Sequence, residues 1–389
     1  MNFTDLLKEG RLVVCCGSGG VGKTTTAAAL ALRGAMAGRK TVVITIDPAK
    51  RLANSLGLET LGDTPQRIDL GALDAELAAQ AGDGEVWAMM LDVKKAFDDL
   101  IRRLGPDSGA VDRILNNRLY HLMSTALHGV LEYVAVEKLF ELYTGGYYDL
   151  IVLDTPPTKN ALDFLEAPQR VARFFDRGVV KWFLPSEKKG IFGRIFQPGL
   201  VVIGLISRIL GEKFTTDLTE FFDSVSTIID PLQQRGEMVE FILRDPQTAF
   251  IIVTGADPRR IEEAIYFHDK LGTLDQKATA FVVNRVCTGY DEEHAETVAN
   301  MTPEEFAQLV QAMAPVADEE GVRRLVDQLG DYYGRLIKLA DRDHRGIKVL
   351  SDRVGKRILR LVPLLREDVH DIHQLLKIGD YLVADPAPA

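Results

Sequence analysis

Residues 14–27 read V-C-C-G-S-G-G-V-G-K-T-T-T-A, and they carry more chemical information than any other stretch of the chain. Gly17 to Thr24 meets the spacing G-x-x-x-x-G-K-[ST], directly after an apolar run and directly before one rich in Ala and Leu. A phosphate-binding loop needs that context of strand before and helix after. Its glycines let consecutive backbone N–H groups turn toward α- and β-phosphates, and the following helix presents its positive N-terminal end. Lys23 then reaches the β- and γ-phosphates, and the Thr24 hydroxyl is placed to ligate Mg²⁺.

Short apolar runs bounded by Gly, Asp or Pro recur along the chain: 12–16, 41–46, 86–91, 150–153, 250–253, 280–283 and 359–362. They are continuous rather than alternating, the pattern of strands buried on both faces of a parallel sheet. Residues 23–38 read as the crossover helix of a right-handed strand-helix-strand unit. The expected fold is α/β: a doubly wound, mostly parallel sheet of the P-loop NTPase kind.

Two intervals carry helical periodicity over more residues than a simple crossover needs, 93–142 and 166–243. They are expected to form a helical subdomain, with 1–92, 143–165 and 244–389 as the nucleotide-binding core. The second interval is rich in aromatic and aliphatic residues, including Phe192, Phe196 and Ile206, and Pro185 and Pro198 exclude a single long helix. Either the subdomain packs on itself, or it exposes a groove for an apolar client segment.

The 389 residues are 46% hydrophobic and 26% charged, the balance of a folded protein. A net charge of −10 counts against nucleic acid as the main partner. Cys15, Cys16 and Cys287 show no metal-ligand spacing, so no zinc is expected, and their odd number suits a reducing compartment. The first residues lack a secretion signal's pattern, and no apolar run approaches the roughly 20 residues that span a bilayer. A cytoplasmic protein is expected.

Two further strand ends carry acids. L-I-V-L-D ends on Asp154, placed to hold the Mg²⁺ shell through water, and Thr155, Pro156, Pro157 and Thr158 continue as a stiff polar loop where a γ-phosphate would sit. T-I-D-P-A supplies Asp47, which either orients or deprotonates an attacking water or caps a helix.

G-G-V-G-K-T-T, T-I-D-P-A, L-D-T-P-P-T and F-V-V-N-R, in this order, resemble the ATPase family that includes the arsenite-pump ATPase and the ATPase that targets tail-anchored membrane proteins. The resemblance covers nearly the whole chain and implies an ATP hydrolase using ATP and Mg²⁺. It makes Gly17, Ser18, Gly19, Gly20, Val21, Gly22, Lys23, Thr24 and Thr25 the phosphate loop, and Asp47 the water-activating residue of a first switch. Asp154 to Thr158 become the second switch, Asn284 the adenine-reading residue, and Pro363 part of a segment closing over the base. It also implies a dimer whose helical intervals form a composite groove for a client or a membrane-associated partner. The alternatives are the ATPase subunit of an anion-efflux pump and a slowly hydrolysing nucleotide-gated scaffold.

The chain departs from that family in places. It has no cysteine between Cys16 and Cys287, so capture of a metalloid by thiolates is not expected, and Cys287 stands alone where a zinc-binding C-x-x-C would join a dimer. Ser18 stands where a lysine commonly reaches the partner's nucleotide. Three routes could supply the missing charge: a heterodimer with a lysine-bearing paralogue, a homodimer using Lys50, Arg51 or Lys159, or no replacement and slow hydrolysis.

Overall fold

A computed structural model of the chain describes residues 3–47, 51–73, 75–118, 120–121, 128–156, 166, 212–287, 302–313, 319–355, 358–365, 368–369 and 371–384. Among these, eight strands form one sheet: β1 (Leu12–Gly17), β2 (Lys40–Thr45), β3 (Gln66–Ile68), β4 (Glu85–Met90), β5 (Leu150–Asp154), β6 (Thr248–Gly255), β7 (Ala278–Val286) and β8 (Ile358–Pro363). The order is β3-β4-β2-β5-β1-β6-β7-β8. Every pairing is parallel except that of β3 with β4. β1 lies between β5 and β6, at the point where the winding reverses, which is where doubly wound sheets open a crevice for ligand.

Each of the seven apolar runs forms a strand, and the sheet is the doubly wound one that their continuity predicts. β3 was not foreseen. It is three residues long, antiparallel and at the edge, and only Ile68 is buried, so neither a continuous nor an alternating apolar pattern marks it.

Alternate residues of β1 enter different layers, as the two-residue period of a strand requires. Val13 and Cys15 pack with the helices Phe3–Glu9, Lys23–Met36 and Ile372–Val383. Leu12, Val14 and Cys16 pack with the helices of the other layer, among them Val93–Leu104, Ser108–Leu115, His128–Gly145, Glu212–Arg244 and Pro258–Thr273. The first layer is tied from its far end. An Arg33 Nη2 donates to the Leu376 carbonyl at 2.8 Å and the guanidinium pairs with Asp380, so the helix that follows the phosphate loop is clamped by a helix near residue 380.

The helices of the first long interval meet the described part of the second. Asn117 Nδ2 donates to the Asp217 carbonyl and Tyr133 Oη to that of Leu232, both at 2.9 Å, while Arg235 pairs with the buried Glu137. Burial pushes the Glu137 carboxyl above its ordinary pKa and Arg235 pulls it back. Phe192, Phe196 and Ile206 lie outside the described residues. Among the described residues, no helix is long and apolar enough to cross a membrane.

Candidate nucleotide site

The C-terminal ends of β1, β2, β5, β7 and β8 open onto one cleft of about 440 Å³. The loop after β1 lines it with Gly19, Gly20, Gly22, Lys23, Thr24 and Thr25, and the segment after β2 with Asp47, Arg51, Asn54 and Ser55. Asp154 and Thr155 come from β5, Asn284 and Arg285 from β7, and Pro363, Leu364, Leu365 and Asp368 from β8 and beyond. Strand register sets the central residues level, since Asp154 pairs with Cys15 on β1 and with Thr45 on β2.

Two loop glycines are required by space and by backbone angle. At Gly17, φ is +152° and an added Cβ would fall 2.0 Å from the Val253 carbonyl oxygen. At Gly22, the left-handed cap of the helix Lys23–Met36, φ is +94° and a Cβ would fall 2.1 Å from Asn284 Nδ2. Gly19 and Gly20, by contrast, are exposed, with nothing near an added Cβ among the described residues. Ser18 and Val21 are buried behind them and do not line the cleft.

Lys23 opens the helix and is only 8% exposed. Its Nζ donates to the Ser18 carbonyl at 2.8 Å, so the ammonium folds back over its own loop. Burial lowers its pKa, and the charges of Asp154, Cys16 and Asp47 oppose that shift.

Asp154 is 1% exposed, and its Oδ2 accepts from Thr24 Oγ1 at 2.7 Å and from Thr45 Oγ1 at 2.9 Å. Oδ1 is buried and has no hydrogen-bond partner among the described residues. Burial pushes its pKa up to about 6, against the two hydroxyl hydrogen bonds and Lys23, which act to lower it. A carboxylate and a threonine hydroxyl side by side, with one carboxylate oxygen unclaimed, are hard oxygen donors that fit Mg²⁺.

Thr45 links this carboxylate to the next strand end, because its Oγ1 also accepts from the Asp47 backbone N–H at 3.2 Å. Asp47 Oδ2 lies 3.6 Å from Arg51 Nη1. Thr155 is fastened to β1, its backbone N–H and its hydroxyl both donating to the Cys15 carbonyl at 3.2 and 2.8 Å. Pro156 is half-buried beside it, and Pro157 and Thr158 lie outside the described residues. Asn284 Nδ2 donates to the Val21 carbonyl at 2.8 Å, joining the end of β7 to the phosphate loop.

The structure thus brings Lys23, Thr24, Thr25, Asp47, Asp154, Thr155, Asn284 and Pro363 to one cleft. Residue reading named Arg51 only as one of three cations that could serve a homodimer, and it missed Thr45, Arg285 and Asp368. Thr45 could have been noticed as a hydroxyl ending a buried strand two positions before Asp47. The others had no signal in the sequence, because only the fold carries them to the cleft. Cys15 and Cys16 are wholly buried, which raises both thiols, Cys16 to about 12, and suits packing rather than reactivity. Cys287 donates its backbone N–H to Asp343 and its thiol to the Leu336 carbonyl.

Comparison with known proteins adds an independent finding. The family described as anion-transporting ATPase (ArsA_ATPase) matches residues 10–320. A Chlamydomonas reinhardtii protein named ATPase ARSA1 is 27% identical over 363 residues, 88% of this chain and 42% of that protein. An Arabidopsis thaliana protein named ATPase GET3C is 27% identical over 279 residues, 69% of this chain and 65% of that one. A Paramecium tetraurelia protein named ATPase ASNA1 homolog 1 is 23% identical over 340 residues, 86% of this chain and 88% of the relative. The chain therefore spans less than two thirds of the first two relatives and most of the third. With the match running from Gly10 through the loop, both acidic strand ends and Asn284, the chain belongs to the anion-transporting ATPase (ArsA) family of ATP hydrolases.

Proposed function

We propose that this chain is a Mg²⁺-dependent ATPase that works as a dimer, either with itself or with a lysine-bearing paralogue. Its nucleotide state gates a hydrophobic helical surface for a client or a membrane-associated partner. The observation that carries the nucleotide part is the buried Asp154, bracketed by the Thr24 and Thr45 hydroxyls with one oxygen unclaimed among the described residues. In this reading Lys23 and the loop N–H groups hold the phosphates, and Thr24 and Asp154 hold Mg²⁺, which supplies charge neutralisation at the phosphate oxygens. Asp47 orients the attacking water, Asn284 and Pro363 meet the base, and the segment from Thr155 to Thr158 relays the departure of the γ-phosphate.

Turnover by the purified chain, with Mg²⁺ and with chelator, tests this directly. Asp47→Asn is expected to lower kcat by about 10²-fold with ATP affinity little changed, since general-base assistance contributes on that scale. An unchanged kcat would remove Asp47 from that role.

The division into a core and a helical subdomain of 93–142 with 166–243 is supported by the contacts between Tyr133 or Glu137 and the helix Glu212–Arg244. For the client surface, replacing Phe192, Phe196 and Ile206 together by serine is expected to weaken capture of an apolar helical peptide at least tenfold, an order set by burial of roughly 25 cal/mol per Å². Nucleotide affinity should be spared; unchanged capture would count against the groove. The family description favours a second reading, in which an anion is the transported species. That reading predicts turnover stimulated by an added oxyanion and indifferent to the peptide.

A further inference from the structure

We propose that Arg51 is the cation that meets the γ-phosphate of this subunit's own nucleotide, leaving its ion pair with Asp47 as it does so. The proposal rests on the ATPase reading and deepens it. Its first ground is charge. The described side chains lining the cleft include three cations, Lys23, Arg51 and Arg285, and three acids, Asp47, Asp154 and Asp368, so they cancel. A nucleoside triphosphate adds several negative charges, and phosphoryl transfer gains most of its rate from cations placed where that charge shifts.

Position then separates the cations. Lys23, which folds back onto the Ser18 carbonyl, already has its part in holding the β- and γ-phosphates with the loop. Arg285 follows Asn284 on β7, two strands from β1. Arg51 opens the short helix after β2, beside β5 with its Asp154 and on the opposite side of β1 from β7. It lies close enough to Lys23 for their charges to repel.

The contact that holds Arg51 is loose. At 3.6 Å its Nη1 is beyond hydrogen-bond range of Asp47 Oδ2, and 65% of its side chain is exposed. Exposed pairs of this kind contribute little. A triphosphate arriving in the cleft competes with one carboxylate for the guanidinium, and planar guanidinium binds phosphoryl oxygens bidentately. The exchange has a consequence for Asp47: the Arg51 charge moves off its carboxylate as the γ-phosphate arrives, and that carboxylate accepts the proton from water.

In the step so assembled, a water oxygen bonds to the γ-phosphorus while the bond from that phosphorus to the β–γ bridging oxygen breaks. The bridging electron pair stays on ADP, and the water proton passes to Asp47. Arg51 donates hydrogen bonds to the γ-phosphoryl oxygens and keeps all its protons. With ADP alone, Arg51 returns to Asp47.

Steady-state turnover and fluorescent-ADP binding by the full chain test this. Arg51→Ala should lower kcat by about 10²- to 10³-fold while ADP affinity stays within about threefold, because the contact forms only with the γ-phosphate. Added guanidinium ion should restore part of the Arg51→Ala turnover and none of the Asp47→Asn turnover. Mixing Arg51→Ala with Asp47→Asn subunits should give no more than the sum of the two. A kcat for Arg51→Ala near wild type overturns the proposal, as does an ADP affinity that falls in step with kcat. Restored activity in the mixture also overturns it, by putting the arginine across a subunit boundary. If wild type and Asp47→Asn both show only background turnover, the ATPase reading has failed instead.

Discussion

Asp154→Asn is expected to lower ATP turnover by at least about 10³-fold, the scale of a lost metal or γ-phosphate stabilising group, while raising the melting temperature of the nucleotide-free protein. Both effects come from burial. The carboxyl titrates at about 6 chiefly because it is buried, against about 3.9 for an exposed aspartate. A folded-state value above the unfolded one means that stability is full below pH of about 4 and falls as pH rises through about 6, by about 3 kcal/mol in all. Asparagine keeps an acceptor for Thr24 and Thr45 without the charge. Scanning fluorimetry of nucleotide-free protein at pH 7.5 should place the variant about 3 °C above wild type, with the gap shrinking toward pH 5. Mg²⁺ with ATP should reverse the ranking by stabilising wild type more. Preserved turnover would take Asp154 out of the metal site, and equal melting temperatures would show that its charge is no burden.

Gly22→Ala is expected to weaken ATP binding by at least about 100-fold, since it spoils the backbone turn on which the phosphate N–H groups depend. The methyl group meets two obstacles at once. The left-handed backbone alone costs about 1 kcal/mol for a residue with a side chain. The Cβ would also occupy the place of Asn284 Nδ2, 2.1 Å away, and displace its hydrogen bond to Val21. Gly38 separates the two costs, because it too has positive φ, +80°, but nothing within 4 Å of an added Cβ. Gly38→Ala should lose a similar amount of backbone stability and bind ATP normally in isothermal titration. Equal binding losses in both variants would mean that the Asn284 contact is immaterial.

How much of this could be read from residues alone varies with the range of the interaction. The strand before the phosphate loop and the helix after it were legible, because Leu12 to Cys16 is continuously apolar and Lys23 onward is rich in alanine. The glycine spacing was legible for the same reason: each residue acts within its own turn of chain. β3 was not, since two of its three residues are exposed. Thr45 gained its meaning only from sheet register, which sets it level with Asp154. Asn284 was quoted for the base, yet its bond to Val21 spans 263 residues and depends on how the β7 end meets the loop. Ser18 drew attention as a side chain, whereas the structure uses its carbonyl, a group every residue type carries.

The clamp of Arg33 by Leu376 and Asp380 sets an order of events during synthesis. Arg33 is made 343 residues before Leu376, so the helix bearing it finds this neighbour only when the segment Ile372–Val383 has left the ribosome. At ordinary rates of about 5–20 residues per second, that leaves a half-made chain waiting roughly twenty to seventy seconds. For most of that interval the Lys23–Met36 helix lacks the cover that Ile372–Val383 supplies, and β8 with Pro363, and Leu364 and Leu365 after it, are missing from the cleft. A nascent chain of this protein is therefore expected to need a chaperone's cover before it can hold nucleotide.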